Sequence, residues 1–358
     1  MRSKGWALGC AVLFAGAASL LAGSSADPVP EGASAGASGT SDSGVTSLAS
    51  PPSAPPPAPP APAPSRVPLR LDPALPAPGD VQKKTLLLSG AVLVAVPVAG
   101  ELTWWRNEET ERFHTANEGW FGRGTYAGGA DKVSHAVGAY IVSRELAAAF
   151  ERLGNSPARS RALAAGLTSF AGLVVEAGDG LSVYGFAWQD AVANLAGASI
   201  SSAIGAAKAD DLVGLRYGLV HARIPPADGR AAAYGSDYSR EIYSADLKLA
   251  GVFRRLHAGG GPARFLMLSV NYGSKGYRFS PADRRERNVG IDVGLNVPEL
   301  LREAGVRETT WWGLPLLKFF TYYRLEYTAW GWRYDLNHHK WSGFGTGNRF
   351  DPGKVIYR

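Results

Sequence analysis

Residues 131–140 read DKVSHAVGAY, and this stretch sets Asp131, Lys132 and His135 into an apolar sequence of helical character. Helical spacing puts Asp131 and His135 on one face, one turn apart. Two later stretches repeat the device. Glu176 and Asp179 close an otherwise apolar run, and residues 188–197, WQDAVANLAG, carry Asp190, Asn194 and Gly197 on one stripe that continues to Ser201. Each run therefore predicts a helix that turns a polar face toward its neighbours. The expected helices cover 131–153, ended by Gly154, Asn155 and Pro157, then 158–177, then 188–207, whose Ala, Gly and Ser content permits close helix approach. The second is apolar around most of its circumference, which suits a central helix or one facing lipid.

Working toward the N-terminus, residues 85–100 form a fourth apolar run behind Lys83 and Lys84. It is short for a span of about 20 residues and contains Pro97, so it reads as a short membrane helix or a buried core helix. Trp104, Trp105 and Arg106 follow, a combination suited to the point where a helix leaves hydrocarbon. Asp131 stands where an N-terminal helix cap would. Residues 27–78 are Pro, Ala, Ser and Gly with few large apolar side chains, and such a segment cannot bury enough surface to offset chain entropy. Residues 1–26 have the order of an export signal: Arg2 and Lys4, an apolar run, then small residues. Cys10 is the sole cysteine of the 358 residues and comes too early for a lipoprotein cleavage site, so no intramolecular disulfide is available and stability must come from packing. The formal net charge of +6 is scattered over loops such as Arg284, Arg285 and Arg287. Outside the cytoplasm such a surface is expected to meet anionic envelope lipid or acidic envelope polymers rather than nucleic acid.

After residue 211 the period changes from 3.6 to 2. In 288–297, Val289, Ile291, Val293, Leu295 and Val297 alternate with polar or small residues, a half-buried strand. Residues 242–251 (Tyr243, Leu247 and Leu249 on one face), 265–272 and the aromatic 318–336 read the same way, giving four or five strands in an antiparallel meander. A closed membrane barrel needs at least about eight, so an open sheet packed on the helices or lying against a membrane is favoured. The expected fold class is α+β: a helical module over 79–211, then a strand-rich antiparallel domain or partial barrel over 212–358.

Asp131, Lys132 and His135, then Glu176 and Asp179, then Trp188, Asp190, Asn194 and Gly197, resemble the pattern of the YfiM-like family of periplasmic lipoproteins. The same order is similar to the VanZ-like module, a small membrane helix bundle. The resemblance covers about 120–207 and implies an envelope protein without an assigned activity.

The residue types invite two chemistries. Imidazole and carboxylate from His135, Glu176 and Asp190, with Asp131 and Asp179 beside them, suit a divalent metal ion. Alternatively His135 serves as general base, oriented by Asp131 or Asp190, with Lys132 holding a phosphate. No organic cofactor is expected, and Gly122, Gly124, Gly128 and Gly129 read as a turn rather than a phosphate loop. Against both stands a purely organising role, because buried Asp, His, Glu and Asn must pair and thereby fix which helices pack. Three functions follow: a membrane-associated binding or structural component of the envelope, a hydrolase or transferase acting on a lipid or phosphate-bearing glycan, and a barrel-like outer-membrane accessory. None names a protein partner.

Overall fold

The computed structural model describes residues 78–106, 112–219, 238–277, 282–325 and 328–344. The expected export signal (1–26) and the linker up to residue 77 lie outside the described residues. The fold is α+β, with a helical N-terminal part followed by a mixed sheet that does not close. Helix α1 (Pro78–Gly100) runs into a π-helical turn (Glu101–Trp105). Then come α2 (Ala130–Arg152), α3 (Pro157–Gly180) and α4 (Trp188–Ala206). Boundaries follow local chemistry. The α3 N-terminus uses Ser156, which accepts from the backbone N–H of Arg159 at 3.4 Å with Pro157 next in line, while Gly154 turns the preceding chain at φ 98°.

Helix α2 is the centre of the molecule. One side packs with α1 and α3 around Val92, Val96, Trp105, Leu146, Phe150 and Val175. Its other side meets the sheet through Ala130, Val137, Tyr140 and Ile141 against Tyr217, Tyr238 and Tyr243. Against α4 the approach is closest at Gly197, where a Cβ would stand 1.9 Å from the carbonyl oxygen of Ala136. Gly197→Ala gains at most about 1 kcal/mol of helix propensity, whereas forcing an atom into a packed backbone contact costs typically 1–3 kcal/mol. The variant therefore melts earlier than the parent in a thermal scan; an unchanged or raised melting temperature would contradict this close crossing.

The strands are β1 (Val213–Leu219), β2 (Glu241–Lys248), β3 (Leu266–Lys275), β4 (Glu286–Leu295), β5 (Tyr323–Arg324), β6 (Ala329–Asp335) and β7 (Lys340–Phe344). Their order is β5-β1-β2-β3-β4-β6-β7, antiparallel except for β5, which runs parallel to β1. Among the described residues, seven strands exceed the expected four or five, and three short α-helices interrupt the strand half. Residues 249 and 251 are not strand: Lys248 ends β2 and Leu249 opens α5 (Leu249–Arg255). Val297 opens α6 (Val297–Glu303) rather than closing β4. The aromatic stretch 318–336 begins inside α7 (Gly313–Tyr322), because Leu314, Leu316, Leu317 and Lys318 are good helix formers and bury Leu317 on one face.

The alternation in the sheet is inverted relative to a soluble sheet. The buried face carries Arg216, Ser244, Asp246, Ser269, Asn271, Asn288, Asp292 and Arg333. The opposite face of β3, β4 and β6 exposes Leu268, Val270, Ile291, Val293, Trp330 and Trp332, with Ile291 58% and Trp332 66% exposed. The sheet curls around its polar face. Arg324 of β5 meets Asp292 of β4 at 2.9 Å, although three strands lie between them. In a flat sheet those strands would stand roughly 19 Å apart at about 4.8 Å per strand.

Candidate functional site

At one end of the helical module the first turns of α2 and α4 meet the last turn of α3. Asp131 and Asp190 sit in those first turns, where a helix N-terminus favours a carboxylate, and Glu176 and Asp179 sit in the last turn of α3. A tight entry brings α2 to this point: Ala127, Gly128 and Gly129 hold φ of 46°, 62° and 91°. Gly129 is required twice, by its left-handed backbone and because a Cβ there would stand 2.8 Å from the carbonyl oxygen of Trp120. Asp131 is not the helix cap. Gly129 takes that position, and the Asp131 carboxylate turns inward to other side chains.

Asp131, Lys132, His135, Glu176, Asp179, Asp190 and Asn194 are all buried, and all but Asp179 converge on one cluster. The Lys132 ammonium stands 2.7 Å from Asp131 Oδ2 and 2.6 Å from Asp190 Oδ1, and it also pairs with Glu118. Burial draws its pKa down, but Asp131, Asp190 and Glu118 outweigh that and hold it above the ordinary lysine value. The other oxygens of the same two aspartates face His135, whose Nε2 lies 3.8 Å from Asp131 Oδ1 and 3.7 Å from Asp190 Oδ2. On its far side His135 Nδ1 is 3.3 Å from Asn194 Oδ1 and 3.9 Å from Glu176 Oε1. Since an amide oxygen accepts only, Nδ1 carries the proton and donates to Asn194. Glu176 is fixed by the backbone N–H of Ala187, which donates to its Oε2 at 3.2 Å.

Asp179 is held by Trp105. Its Oδ1 accepts from Trp105 Nε1 at 2.8 Å, and the Trp105 ring lies flat on Gly178 and Gly100, where added Cβ atoms would stand 2.0 and 2.3 Å from it. Trp105 is thus buried between α1 and α3 rather than placed at a lipid boundary as its sequence context suggests. Trp188 is half exposed and packs edge-on against Trp120. His338 and His339, adjacent in sequence, take separate partners, Asp335 and Tyr334.

Sequence reading misses three contributors. Glu118 comes from the segment before α2, Tyr238 donates its hydroxyl to Asp131 Oδ1 from the turn before β2, and Gln189 donates to Asn117 at 2.9 Å. Glu118 and Tyr238 lie in loops and turns and follow no period that would mark them, while Gln189 is the second residue of α4, beside Asp190. Tyr126, beside the glycine turn, adds its ring 5.8 Å from the Lys132 ammonium.

Chemically, the cluster is an acid-rich chamber with one fixed ammonium and one imidazole, screened from water. No curated protein and no solved structure matches the chain. Residues 117–205, which hold the whole cluster except Tyr238, match the family described as predicted periplasmic lipoprotein (DUF2279), and the protein is an exported one of the cell envelope, periplasmic or membrane-associated.

Proposed function

We propose that the protein is a membrane-docked binding or assembly component of the cell envelope, in which the buried polar cluster organises the helical module and the apolar outer faces meet lipid. The observation that carries this reading is the inverted sheet: arginine and carboxylate inside, Leu268, Val270, Ile291, Val293, Trp330, Trp332 and Trp341 exposed outside. Exposed apolar patches of this extent mark an interaction surface, and alternation with tryptophan at the rim suits a membrane interface. The helices support the same reading. Among the described residues, Gly79–Gly100 and Pro157–Gly180 are long and apolar enough to cross a membrane, and Leu86, Leu87, Val94, Phe170 and Leu195 are exposed on the bundle. The likeness of the cluster's residues to YfiM-like proteins and the VanZ-like module agrees with a membrane setting. With a net charge of +6, anionic lipid is the preferred surface.

Flotation with vesicles tests this. The purified chain co-floats with phosphatidylglycerol vesicles and is not released by 1 M salt, roughly the concentration at which the screening length falls to about 3 Å. Changing Trp330, Trp332 and Trp341 together to Ser weakens partition at least tenfold, since each buried aromatic contributes about 1.5–3 kcal/mol. Complete release by salt alone, or full retention by the triple variant, would refute docking through this face.

A second reading, a hydrolase or transferase with His135 as base, is favoured by one observation: Asp131, Glu176 and Asp190 all lie within 4 Å of the imidazole. The surroundings weigh against a phosphate-bearing substrate, because Lys132 is held by three carboxylates and the chamber is strongly negative. Loss of cellular function in His135→Gln with an unchanged melting temperature would favour the enzyme.

A further inference from the structure

We infer that Asp131, His135 and Asp190 form a structural binding site for one divalent transition-metal ion, zinc or manganese, that ties α2 to α4. The ligand atoms of these three side chains lie within 4.8 Å of one another and all three residues are buried. His135 Nε2 stands 3.8 and 3.7 Å from the facing aspartate oxygens. These separations exceed a hydrogen bond of about 2.7–3.2 Å. They fit ligands that share an ion: the centre of such a triangle is roughly 2.2–2.4 Å from each corner, close to the usual lengths of about 2.0–2.2 Å for nitrogen and oxygen on zinc.

The orientation of the imidazole points the same way. With Nδ1 donating to Asn194 Oδ1, the ring directs Nε2 toward two carboxylate oxygens. Metal-binding histidines characteristically anchor their other ring nitrogen through a hydrogen bond, the part Asn194 plays here. Charge supplies the third argument. Three buried or nearly buried carboxylates, Glu118, Asp131 and Asp190, surround the Lys132 ammonium, and a fourth, Glu176, lies against His135. Lys132 engages Oδ2 of Asp131 and Oδ1 of Asp190, so the oxygens that face His135 are the opposite ones. A divalent ion bound there offsets the cost of burying carboxylates that outnumber the ammonium. Each aspartate then bridges the ion and the ammonium.

The full chain without a histidine tag, purified in mild detergent and stripped with EDTA, is given Zn2+ or Mn2+ alone, desalted and assayed by plasma mass spectrometry. Close to one ion per chain is retained and the melting temperature rises. His135→Gln and Asp190→Asn each weaken retention about tenfold or more, whereas His338→Gln, at the distant Asp335 pair, changes nothing. Wild-type chain that keeps neither ion overturns the site, leaving an imidazolium held by the aspartates. Equal retention by both ligand variants overturns it too. Should those variants fail to fold, Co2+ added to the wild type decides: ligand-field bands distinct from aqueous Co2+ are expected, and a spectrum identical to the aqueous ion overturns the proposal. Vesicle binding is read separately, so failure here leaves membrane docking intact and the reverse.

Discussion

Replacing Lys132 with Met lowers the melting temperature of the protein by roughly 6–20 °C, from about 3–5 kcal/mol for stripping the partner from a buried ion pair at about 2–4 °C per kcal/mol for a chain of this size. Lys132 and Asp131 are 2% and 0% exposed, and the ammonium is shared by Glu118, Asp131 and Asp190. Methionine fills much of the volume, so the loss is electrostatic rather than a cavity. Its signature is in the pH dependence. The folded-state pKa of Lys132 is raised, so its contribution is fully present below the ordinary value of 10.5 and disappears as pH rises through the folded value. In the variant the stranded carboxylates relieve their repulsion by taking up protons. The gap between parent and variant therefore narrows as pH falls from 7 toward 4. Melting curves recorded across that range check both parts; a gap below about 1 kcal/mol at neutral pH would mean that water or protons already satisfy these carboxylates.

The cluster was legible in sequence because polar residues one turn apart, Asp131 with His135 and Asp190 with Asn194, stand out against apolar neighbours, and helical geometry commits each pair to one face. That both faces converge is what the structure adds, through the Gly197 crossing that brings α4 against α2. Glu118 and Tyr238 were not legible, since one lies in the irregular segment before α2 and the other arrives from 107 residues beyond Asp131. In the sheet, a period of 2 identifies Val289, Ile291 and Val293 as sharing a face, but the pattern is the same whichever face is buried. What decides is the depth of polar pairing on the other side, and ion pairs such as Arg324 with Asp292 join strands that no local spacing relates. The short helices were lost for a different reason. Leu249, Val297 and Leu317 continue an apolar rhythm across the end of a strand, and only backbone geometry marks the change of period.

The interior of the sheet offers the second large effect. Arg216→Met costs about 3–5 kcal/mol, because Asp246, fully buried, loses a fork of two guanidinium contacts and keeps the hydroxyl of Ser269 at 2.7 Å and the more remote charge of Arg324. An outward substitution one strand away, Leu268→Ser, should by contrast leave the melting temperature in detergent within about 0.5 kcal/mol, since it alters an exposed side chain. Acid distinguishes the pair from simple packing. Burial raises the Asp246 pKa, but Arg216 and the hydrogen bonds from Arg216 and Ser269 more than reverse this, and the folded value falls below 3.8. The parent therefore keeps this contribution above about pH 4 and loses it as pH drops through the folded value. In Arg216→Met the largest opposing pull is gone, only the Ser269 hydroxyl and the Arg324 charge still work against burial, and the carboxyl becomes easier to protonate than in the parent. Acidification should accordingly destabilise the parent more than the variant, so their melting temperatures approach each other between pH 7 and 3. Parallel curves would show that the arginine acts through its hydrocarbon stem, and the inward-polar, outward-apolar logic of the sheet would then need another source than charge.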